Sequence, residues 1–326
     1  MARQTVPAPP PQDHPTARRH PRPRAAFISA SGRFRSSCVL VFALVVAACG
    51  GARAPDAESR AIRIVDDAGD TISLAHPATR IVSLVPATTE LLFALGAGTH
   101  VVGRTQWDDW PPEAESVPVV SEGISLNLEG ILAARPDLVV VYPSTVNTAG
   151  VARLRALGIP TLQARTDRIA DVVRLAGVLG RATGREREAD SLAHTLAREL
   201  VAATARAGAD TAALFLLVWD QPPITVGAQS YLTEIMQRAG ARNIFADLAA
   251  PSAPVSIEAV ASRDPDFILT SAEGGTPGFA DRPEWQAVEA VRERRFISIT
   301  GSQFEHPGPR TPAAILELRR RLAAAR

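Results

Sequence analysis

The sequence predicts an α/β fold in which two Rossmann-like lobes, each with a mostly parallel sheet, are joined by one long backbone helix. Three observations lead to this prediction: one segment occurs twice, strand-like and helix-like patterns alternate around both copies, and a long helical pattern separates them. The predicted boundaries are an amino-terminal lobe at 62–183, a backbone helix at 184–207 and a carboxyl-terminal lobe at 208–326.

The repeated segment reads NLEGILAARPDLVV at 127–140 and SIEAVASRDPDFIL at 256–269, and the copies align without a gap. Each begins with a good N-cap residue, Asn127 or Ser256, whose side-chain oxygen can accept from free backbone N–H groups. A proline then ends the helix, and the apolar run after it is typical of a strand buried in a parallel sheet. Each copy therefore predicts a helix followed by a strand.

Glu129 and Glu258 occupy equivalent places in the two copies, in the first turn of each predicted helix. The helix dipole favours an acid there, so capping alone explains either glutamate. Their repetition supports a second interpretation, because each lobe then presents one carboxylate at the same position.

The remaining elements of the first lobe follow from short apolar runs separated by glycine-rich or proline-containing turns. In order, they are a hairpin of strands at 62–65 and 71–74, a strand at 80–84, a helix capped by Thr88 or Thr89, a short strand at 101–103, a helix at 151–157 and a strand at 159–164.

The chain is then continuously helical in pattern from Ile169 to Arg206, with one break at Thr183 and Gly184. The second segment has an apolar stripe at helical spacing and no interior proline or glycine. At 1.5 Å per residue it would span roughly 30 Å, which is long enough to join two lobes. For the second lobe, the sequence predicts a strand at 212–218, a helix at 231–238, a helix at 285–291, a strand at 295–300 and a helix at 311–324.

Residues 1–48 have the composition of an export signal. Seven arginines and one aspartate accompany the apolar run at 38–48, which is shorter than the roughly 20 apolar residues that cross a bilayer. The sequence VAACG at 46–50 resembles the lipobox of bacterial lipoproteins. We therefore expect a lipoprotein signal peptide at 1–48, lipidation of Cys49 and a flexible tether at 49–61; an ordinary signal peptide that contains a cysteine is the alternative.

Composition excludes several classes of protein. The only cysteines are Cys38 and Cys49, so the exported part has no disulfide, thiolate metal site or cysteine nucleophile. All 35 basic residues are arginine, which excludes a Schiff-base lysine and a P-loop lysine. The whole chain has a net charge of +1, and loss of residues 1–48 leaves about −5, which argues against nucleic acid as a partner.

A ligand cleft is expected between the lobes, where the loops at the strand ends face each other. Trp107, Tyr142 and Trp219 lie at or just after predicted strand ends, and the loop SQFEH at 302–306 follows the last strand. Trp110, beside two prolines, is expected instead to pack on the core of its own lobe.

The sequence offers no catalytic cluster. The exported part has four scattered histidines, no nucleophile elbow and no phosphate-binding glycine loop. The adjacent acids Asp108 and Asp109 are expected to be solvated. We therefore predict that the protein is not an enzyme and has no metal site or cofactor of its own.

Four segments together resemble a known family: RIVSLVPATTELLFALG, the two repeat copies, and the helix from Gly184 to Arg206. They are similar to the substrate-binding proteins of ABC importers with a helical backbone (class III), which take up cobalamin, haem and iron–siderophore complexes. The cobalamin-binding member is the most similar, and the resemblance covers 62–324. It implies an exported, periplasmic and monomeric binding protein that works with a membrane permease and its cytoplasmic ATPase.

The resemblance also implies roles for individual residues. Glu129 and Glu258 match the glutamates that dock onto arginines of the permease. Trp107 and Tyr142 match aromatic contacts to the corrin ligand, and Ile224 matches an apolar one.

Much of the ligand site is rewritten, however. Gly123 and Ser252 replace two tryptophans of the cobalamin binder, and Ser302 and His306 replace an aspartate and an arginine. The ligand could therefore be cobalamin, a related corrinoid, a haem or a ferric siderophore.

The resulting hypothesis is a lipid-anchored solute-binding protein that captures a metal chelate without chemical change. Trp107, Tyr142, Trp219, Ile224, Phe304 and His306 are the predicted ligand-binding residues. Two alternatives from other classes stay open: a metal-dependent hydrolase on the same scaffold, and an adaptor lipoprotein that binds no ligand.

Overall fold

The computed structural model describes residues 61–123, 125–204, 211–272 and 276–326. The predicted signal peptide, Cys49 and nearly all of the predicted tether lie outside these residues. Within them the predicted α/β fold with two mostly parallel sheets is confirmed, whereas the domain boundaries stay a prediction.

An antiparallel hairpin opens the described chain. Strand β1 (Ile62–Val65) pairs with β2 (Thr71–Leu74), as the turn sequence DDAGD predicts. The carboxylate of Asp66 accepts from the backbone N–H groups of Ala68 and Asp70 at 3.0 and 2.9 Å, which fixes the turn.

The first lobe contains five parallel strands in the order β5-β4-β3-β6-β7. Their bounds are β3 (Ile81–Ser83), β4 (Val101–Thr105), β5 (Val119–Ser121), β6 (Leu138–Val141) and β7 (Thr161–Gln163). Side chains along β6 alternate between two buried clusters, one on each face of the sheet. Helices α1 (Pro86–Ala94), α2 (Leu128–Ala133) and α3 (Thr148–Ala156) cover these faces.

Helix α1 begins earlier than predicted. Its N-cap is Val85, and Pro86 lies in the first turn. Proline has no backbone N–H, but an N–H at this position would have no acceptor within the helix. Thr88 and Thr89 therefore lie inside the helix and are fully buried, so the predicted capping role of these threonines is wrong.

The second lobe contains four parallel strands in the order β11-β8-β13-β14. The chain runs through β8 (Ala212–Leu217), the short strands β9 (Trp219–Asp220) and β10 (Pro223–Val226), helix α6 (Tyr231–Arg238), β11 (Ala241–Asn243), β12 (Ser252–Pro254), helix α7 (Ile257–Arg263), β13 (Phe267–Thr270), helix α8 (Glu289–Arg292), β14 (Phe296–Ser298) and helix α9 (Thr311–Ala325). The small antiparallel sheet β12-β10-β9 was not predicted. The helix predicted at 285–291 is a 3-10 turn, Pro283–Ala287, followed by α8.

Two packed helices connect the lobes. Helix α4 (Ile169–Thr183) ends at Gly184, whose φ of +69° is a left-handed C-cap, and α5 (Glu186–Ala203) follows with 18 residues. Ala189 of α5 lies in the core of the first lobe and Ala203 in the core of the second, so one helix reaches both. The helix expected over 184–207 is thus observed at Glu186–Ala203, and 205–210 lie outside the described residues.

The two repeat copies have the same backbone structure. Asn127 and Ser256 each accept from the backbone N–H three residues later, at 3.1 and 3.2 Å, as the sequence predicts. Arg135 and Asp264 also occupy equivalent places, and both have a positive φ, of 47° and 44°. A left-handed non-glycine residue is uncommon, so its repetition shows that both lobes end the helix in the same way.

The aspartate of each copy ties the repeat to the neighbouring strand. Asp137 accepts from the backbone N–H groups of Thr79 and Arg80, each at 2.9 Å, just before β3 begins. Asp266 accepts from the backbone N–H of Ala213 in β8 at 2.6 Å. The repeated proline–aspartate pair therefore has a structural role in each lobe.

We expect Asp137→Ala to lower the free energy of unfolding by about 1 to 3 kcal/mol, because two backbone N–H groups and one hydroxyl lose a charged acceptor. Urea denaturation followed by circular dichroism measures this change. Asp109→Ala, at an exposed acid, is the matched control and should change the midpoint little. Equal midpoints for both variants would contradict the structural role of Asp137.

Candidate functional site

A cavity of about 350 Å³ lies at the carboxyl edge of the second sheet. Its walls are mainly apolar and come from β8, α6 and the segments after β13 and β14. The polar members are Tyr231, Ser271, Thr300 and Glu305. Ligands of open α/β sheets bind outside the carboxyl ends of the strands, so this edge is the candidate ligand site of the lobe.

Phe304 is a wall of this cavity, not an exposed contact. Its side chain is 3% exposed, and its carbonyl oxygen accepts from the Tyr231 hydroxyl at 2.8 Å. Burial and the negative charge of Glu305 raise the pKa of Tyr231. Burial and the Glu305 charge therefore keep the phenol protonated, and the hydrogen bond fixes its orientation at the cavity wall.

Trp219 and Ile224 lie side by side next to this cavity. They are register partners in the β9–β10 pair, which directly follows β8. The indole N–H of Trp219 donates to the carbonyl of Gln221 at 2.8 Å, yet 59% of the residue is exposed. An oriented and exposed indole is a surface that a bulky apolar ligand can cover.

Trp107 lies in the first lobe, two residues after the end of β4. Its indole N–H donates to the carbonyl of Glu122 at 2.9 Å, and 56% of the residue is exposed. Gly123, with φ of +101°, lies against the ring, because a Cβ there would come within 2.8 Å of the indole Cδ1. Glycine at 123 thus allows this orientation of Trp107.

Tyr142 follows β6 and is partly buried. Its hydroxyl donates to the carboxylate of Asp167 at 2.7 Å. Burial and this carboxylate raise the pKa of Tyr142 to about 12. Asp167, which orients the phenol, was not identified from the sequence.

His306 belongs to a buried cluster that joins the two lobes. Its Nε2 lies 3.0 Å from the carboxylate of Glu90, which is 4% exposed in α1. Arg310 donates from Nε to both oxygens of Glu90, at 3.1 and 3.2 Å, and from Nη2 to the same carboxylate. We call Glu90, His306 and Arg310 the inter-lobe clasp.

The inter-lobe clasp lowers the pKa of Glu90. Burial alone would raise the pKa of Glu90, but hydrogen bonds from His306 and Arg310, together with their charges, outweigh it and hold the pKa below its ordinary value. Nη2 of Arg310 also donates to Ser302 at 2.9 Å. His306 is therefore oriented by an acid and an arginine that sequence reasoning missed, although an acid on the buried face of α1 was the available signal.

Trp110 lines a cavity with Phe93 and Ala94 of α1 in its own lobe, and it also contacts the second lobe. It is partly exposed, and the guanidinium carbon of Arg310 lies 4.7 Å from its ring centroid. Together with Glu90 and Pro309 it lines a second cavity of about 390 Å³. The cation–π contact places Trp110 at the junction of the lobes.

The expectation that Asp108 is solvated is also wrong. Asp108 is buried and accepts from the backbone N–H of Thr105 at 3.0 Å and from the hydroxyls of Thr89 and Thr105. Burial raises the pKa of Asp108 despite these donors. Asp109 is exposed, so the adjacent acids do not form a pair.

Glu129 and Glu258 are both exposed, in the first turns of α2 and α7. Hydrogen bonds from its own backbone N–H and from Ser256 lower the pKa of Glu258. The two lobes thus present equivalent carboxylates to solvent. The docking of these carboxylates onto a membrane permease stays a prediction.

Two further observations concern only the residues that the structure describes. In these ranges no group of three or more histidine, cysteine or acidic residues could hold a metal ion. Every helix of the same residues is too short or too polar to cross a bilayer.

Comparison with known sequences finds relatives of one kind, which are substrate-binding proteins. Residues 81–302 match the family described as periplasmic binding protein. A vitamin B12-binding protein of Vibrio parahaemolyticus is 28% identical over 248 residues, which cover 74% of this chain and 89% of that protein. An uncharacterized ABC transporter substrate-binding lipoprotein of Bacillus subtilis, YvrC, is 26% identical over 298 residues, covering 86% of this chain and 94% of that protein.

Comparison with solved structures agrees. The periplasmic heme-binding protein RhuT from Roseiflexus sp. RS-1, in apo form, has a TM-score of 0.69 and 27% identity, and the match covers 76% of this chain and 99% of RhuT. These relatives bind substrates for transport and are not enzymes.

Proposed function

Because the chain belongs to the periplasmic binding protein family, as a class III substrate-binding protein of the cobalamin, haem and iron–siderophore type, we propose that it captures cobalamin or a related corrinoid and delivers it to an ABC permease. The protein is a binding protein and not an enzyme. The observation that carries the ligand proposal is one oriented, exposed indole at the carboxyl edge of each sheet, Trp107 and Trp219.

The proposed affinity comes mainly from apolar burial. A corrin face that covers both indoles and the apolar wall beside Phe304 would gain roughly 25 cal/mol per Å² of apolar area removed from water. Tyr142 and His306 are held by Asp167 and Glu90, and so keep fixed orientations at the strand ends. A rigid aromatic surface of this kind suits a bulky, flat chelate.

One alternative within the family has support of its own. A heme-binding relative shares 27% identity with this chain, so a haem or ferric-siderophore binder of the same fold is the second candidate. The two candidates from other classes have less support. The relatives are transport proteins, which disfavours a metal-dependent hydrolase, and a lined cavity at a sheet edge disfavours an adaptor without ligand.

The ligand proposal is tested by replacing one indole. We expect Trp107→Ala to weaken cyanocobalamin binding about tenfold to hundredfold, a loss of roughly 1.4 to 2.8 kcal/mol, because an aromatic contact is removed. Isothermal titration measures the dissociation constant. Leu157→Ala, at an exposed apolar residue after α3, is the control that should bind normally, and normal binding by Trp107→Ala would remove this indole from the site.

The lipid anchor is part of the proposal and is supported by the lipobox and by a lipoprotein among the relatives. We expect Cys49→Ala to move the protein from the carbonate-washed membrane fraction into the soluble fraction. Cys38→Ala is the matched control, because that residue belongs to the predicted signal peptide, and it should leave the protein with the membrane. Retention of the Cys49→Ala protein in the membrane would contradict lipidation.

The proposed partners follow from the same family. The permease, with its cytoplasmic ATPase, would be contacted through Glu129 and Glu258, while a monomeric protein in the periplasm would be held near it by the lipid. Both glutamates are exposed on the first turns of short helices that the repeat places equivalently in the two lobes.

A further inference from the structure

The indole of Trp107 is held by a segment to which it does not belong, the residues directly after β5. Its N–H donates to the carbonyl of Glu122 at 2.9 Å, and the side-chain amide of Gln106 donates to the same oxygen at 3.5 Å. Gly123 follows Glu122 and lies against the ring. The orientation of this exposed indole therefore depends on a contact between the ends of two strands, β4 and β5.

Gly123 leaves the ring a space that a residue with a side chain would fill. A Cβ at this position would lie 2.8 Å from Cδ1 and 3.2 Å from Nε1 of Trp107, whereas carbon atoms in contact are ordinarily about 3.5 to 4.0 Å apart. The backbone at Gly123 also has φ of +101°, which L-residues with side chains rarely adopt. A side chain at 123 would therefore strain the backbone and also press on the indole.

The backbone of Trp107 has little freedom to yield to such pressure. Its N–H donates to the hydroxyl oxygen of Thr105 at 3.2 Å, and the N–H of Thr105 donates to the carboxylate of Asp108 at 3.0 Å. Asp108 is buried and also accepts from the hydroxyl of Thr89 in α1. The indole, in contrast, is 56% exposed and can turn outward into solvent. The ring is thus the part that a side chain at position 123 would displace.

Trp219, the exposed indole of the second lobe, is oriented by a local contact. Its N–H donates to the carbonyl of Gln221, two residues further along the chain, at 2.8 Å. This hydrogen bond does not involve the end of β5. A change at Gly123 should therefore act on Trp107 and spare Trp219, which serves as an internal reference.

Gly123 thereby gains a role in ligand capture. We infer, on the basis of the proposed function, that Gly123 is a positioning residue: because it has no side chain, the indole of Trp107 keeps the orientation in which Glu122 accepts its N–H and its exposed surface is available to the ligand. The contribution of Gly123 to affinity comes through Trp107. A ring already held in one orientation loses little rotational freedom when a ligand covers it, which raises affinity.

The orientation is tested without ligand. In the full exported protein, purified in detergent and labelled with ¹⁵N-tryptophan, each of the four indole N–H signals is assigned from the variant in which that tryptophan is phenylalanine. Gly123→Ala should move the Trp107 signal and speed its exchange with water about threefold to tenfold, because one hydrogen bond is lost. The Trp219 signal should stay in place. An unchanged Trp107 signal would overturn the inference.

Gly69→Ala is the matched control for backbone strain. Gly69 lies in the turn between β1 and β2 with φ of +87°, and a Cβ there would meet no atom within 4 Å. This variant has similar strain but no ring in contact, so all four indole signals should stay in place. If Gly69→Ala moves the Trp107 signal as much as Gly123→Ala does, general destabilisation moves the ring and the positioning role is wrong.

A double-mutant cycle tests whether Gly123 acts through the indole. In isothermal titration, Gly123→Ala should bind cyanocobalamin about threefold to tenfold more weakly than the wild type. Gly123→Ala combined with Trp107→Ala should bind as Trp107→Ala alone does, within about twofold, because no ring remains to be displaced. Additive losses would contradict action through Trp107. A wild-type protein that does not bind cyanocobalamin would contradict the proposed function, whereas the indole signals decide independently whether Gly123 orients the ring.

Discussion

Arg310→Leu is expected to lower the free energy of unfolding by about 3 to 5 kcal/mol at pH 7, because the buried Glu90 carboxylate loses its permanently charged partner and keeps only His306. Glu90 is 4% exposed and accepts from Arg310 through both oxygens. Urea denaturation at pH 7, followed by circular dichroism, measures the loss. An exposed ion pair gives the matched control: Asp281→Ala, which removes the partner of Arg294, should cost no more than about 1 kcal/mol.

A second variant distinguishes the buried charge from lost packing. Glu90→Gln combined with Arg310→Leu leaves no uncompensated charge, so its unfolding free energy should lie above that of Arg310→Leu alone. If the double variant is as unstable as the single one, the loss comes from packing around Trp110 and Pro309 and not from the Glu90 charge.

The clasp also predicts a pH dependence with a definite sign. The folded-state pKa of Glu90 is below the ordinary value of 4.5, so its contribution to stability is present above that value and is lost as pH falls through the folded-state pKa. In Arg310→Leu the buried acid is instead neutralised by protonation at low pH. The difference in unfolding free energy between the two proteins should therefore shrink between pH 7 and pH 4, and a constant difference would contradict the charge argument.

Glu129→Ala combined with Glu258→Ala is expected to reduce ligand uptake by cells at least about tenfold while leaving ligand affinity unchanged. Both carboxylates are exposed and lie in the first turns of α2 and α7, on elements other than those that carry the indoles. Removal of two charges that meet cationic partners at an interface costs about 1 kcal/mol or more each. Uptake of radiolabelled cyanocobalamin and isothermal titration of the same variant measure the two effects.

The control removes two exposed first-turn acids that the repeat does not place equivalently, Glu186→Ala with Glu284→Ala. This protein should support normal uptake. Weakened ligand binding in the Glu129 and Glu258 variant, or equal loss of uptake in the control, would contradict a docking role for the repeated glutamates.

The repeat was the most reliable guide to the fold. Its N-caps, Asn127 and Ser256, and the strands that follow are present in both lobes. Such local signals are readable because capping, proline and β-branched residues act over a few positions. The repeated left-handed residues Arg135 and Asp264 were not predicted, since arginine has no preference for a positive φ and only the aspartate is of a type enriched there.

The candidate site was predicted less completely, because its contacts are distant in sequence. Trp107, Trp219 and Tyr142 were identified from their places at strand ends, and the structure leaves both indoles exposed. Glu90 was overlooked, since its partners His306 and Arg310 lie more than 200 positions away. The identity of such distant partners has no local signature. Asp108 was misjudged for a different reason, because its donors, Thr89 and Thr105, belong to its own lobe and only the fold brings Thr89 to it.

The inter-lobe clasp has a thermodynamic consequence for the proposed cargo. It fixes the relative orientation of the lobes through protein groups alone, with α5 reaching both cores. A proposed ligand site that is pre-organised in this way would spend little of the binding free energy on ordering the protein. Association should therefore be a single step at a rate set by diffusion and orientation, on the order of 10⁵ to 10⁷ M⁻¹s⁻¹, with no slower phase from closure of the lobes.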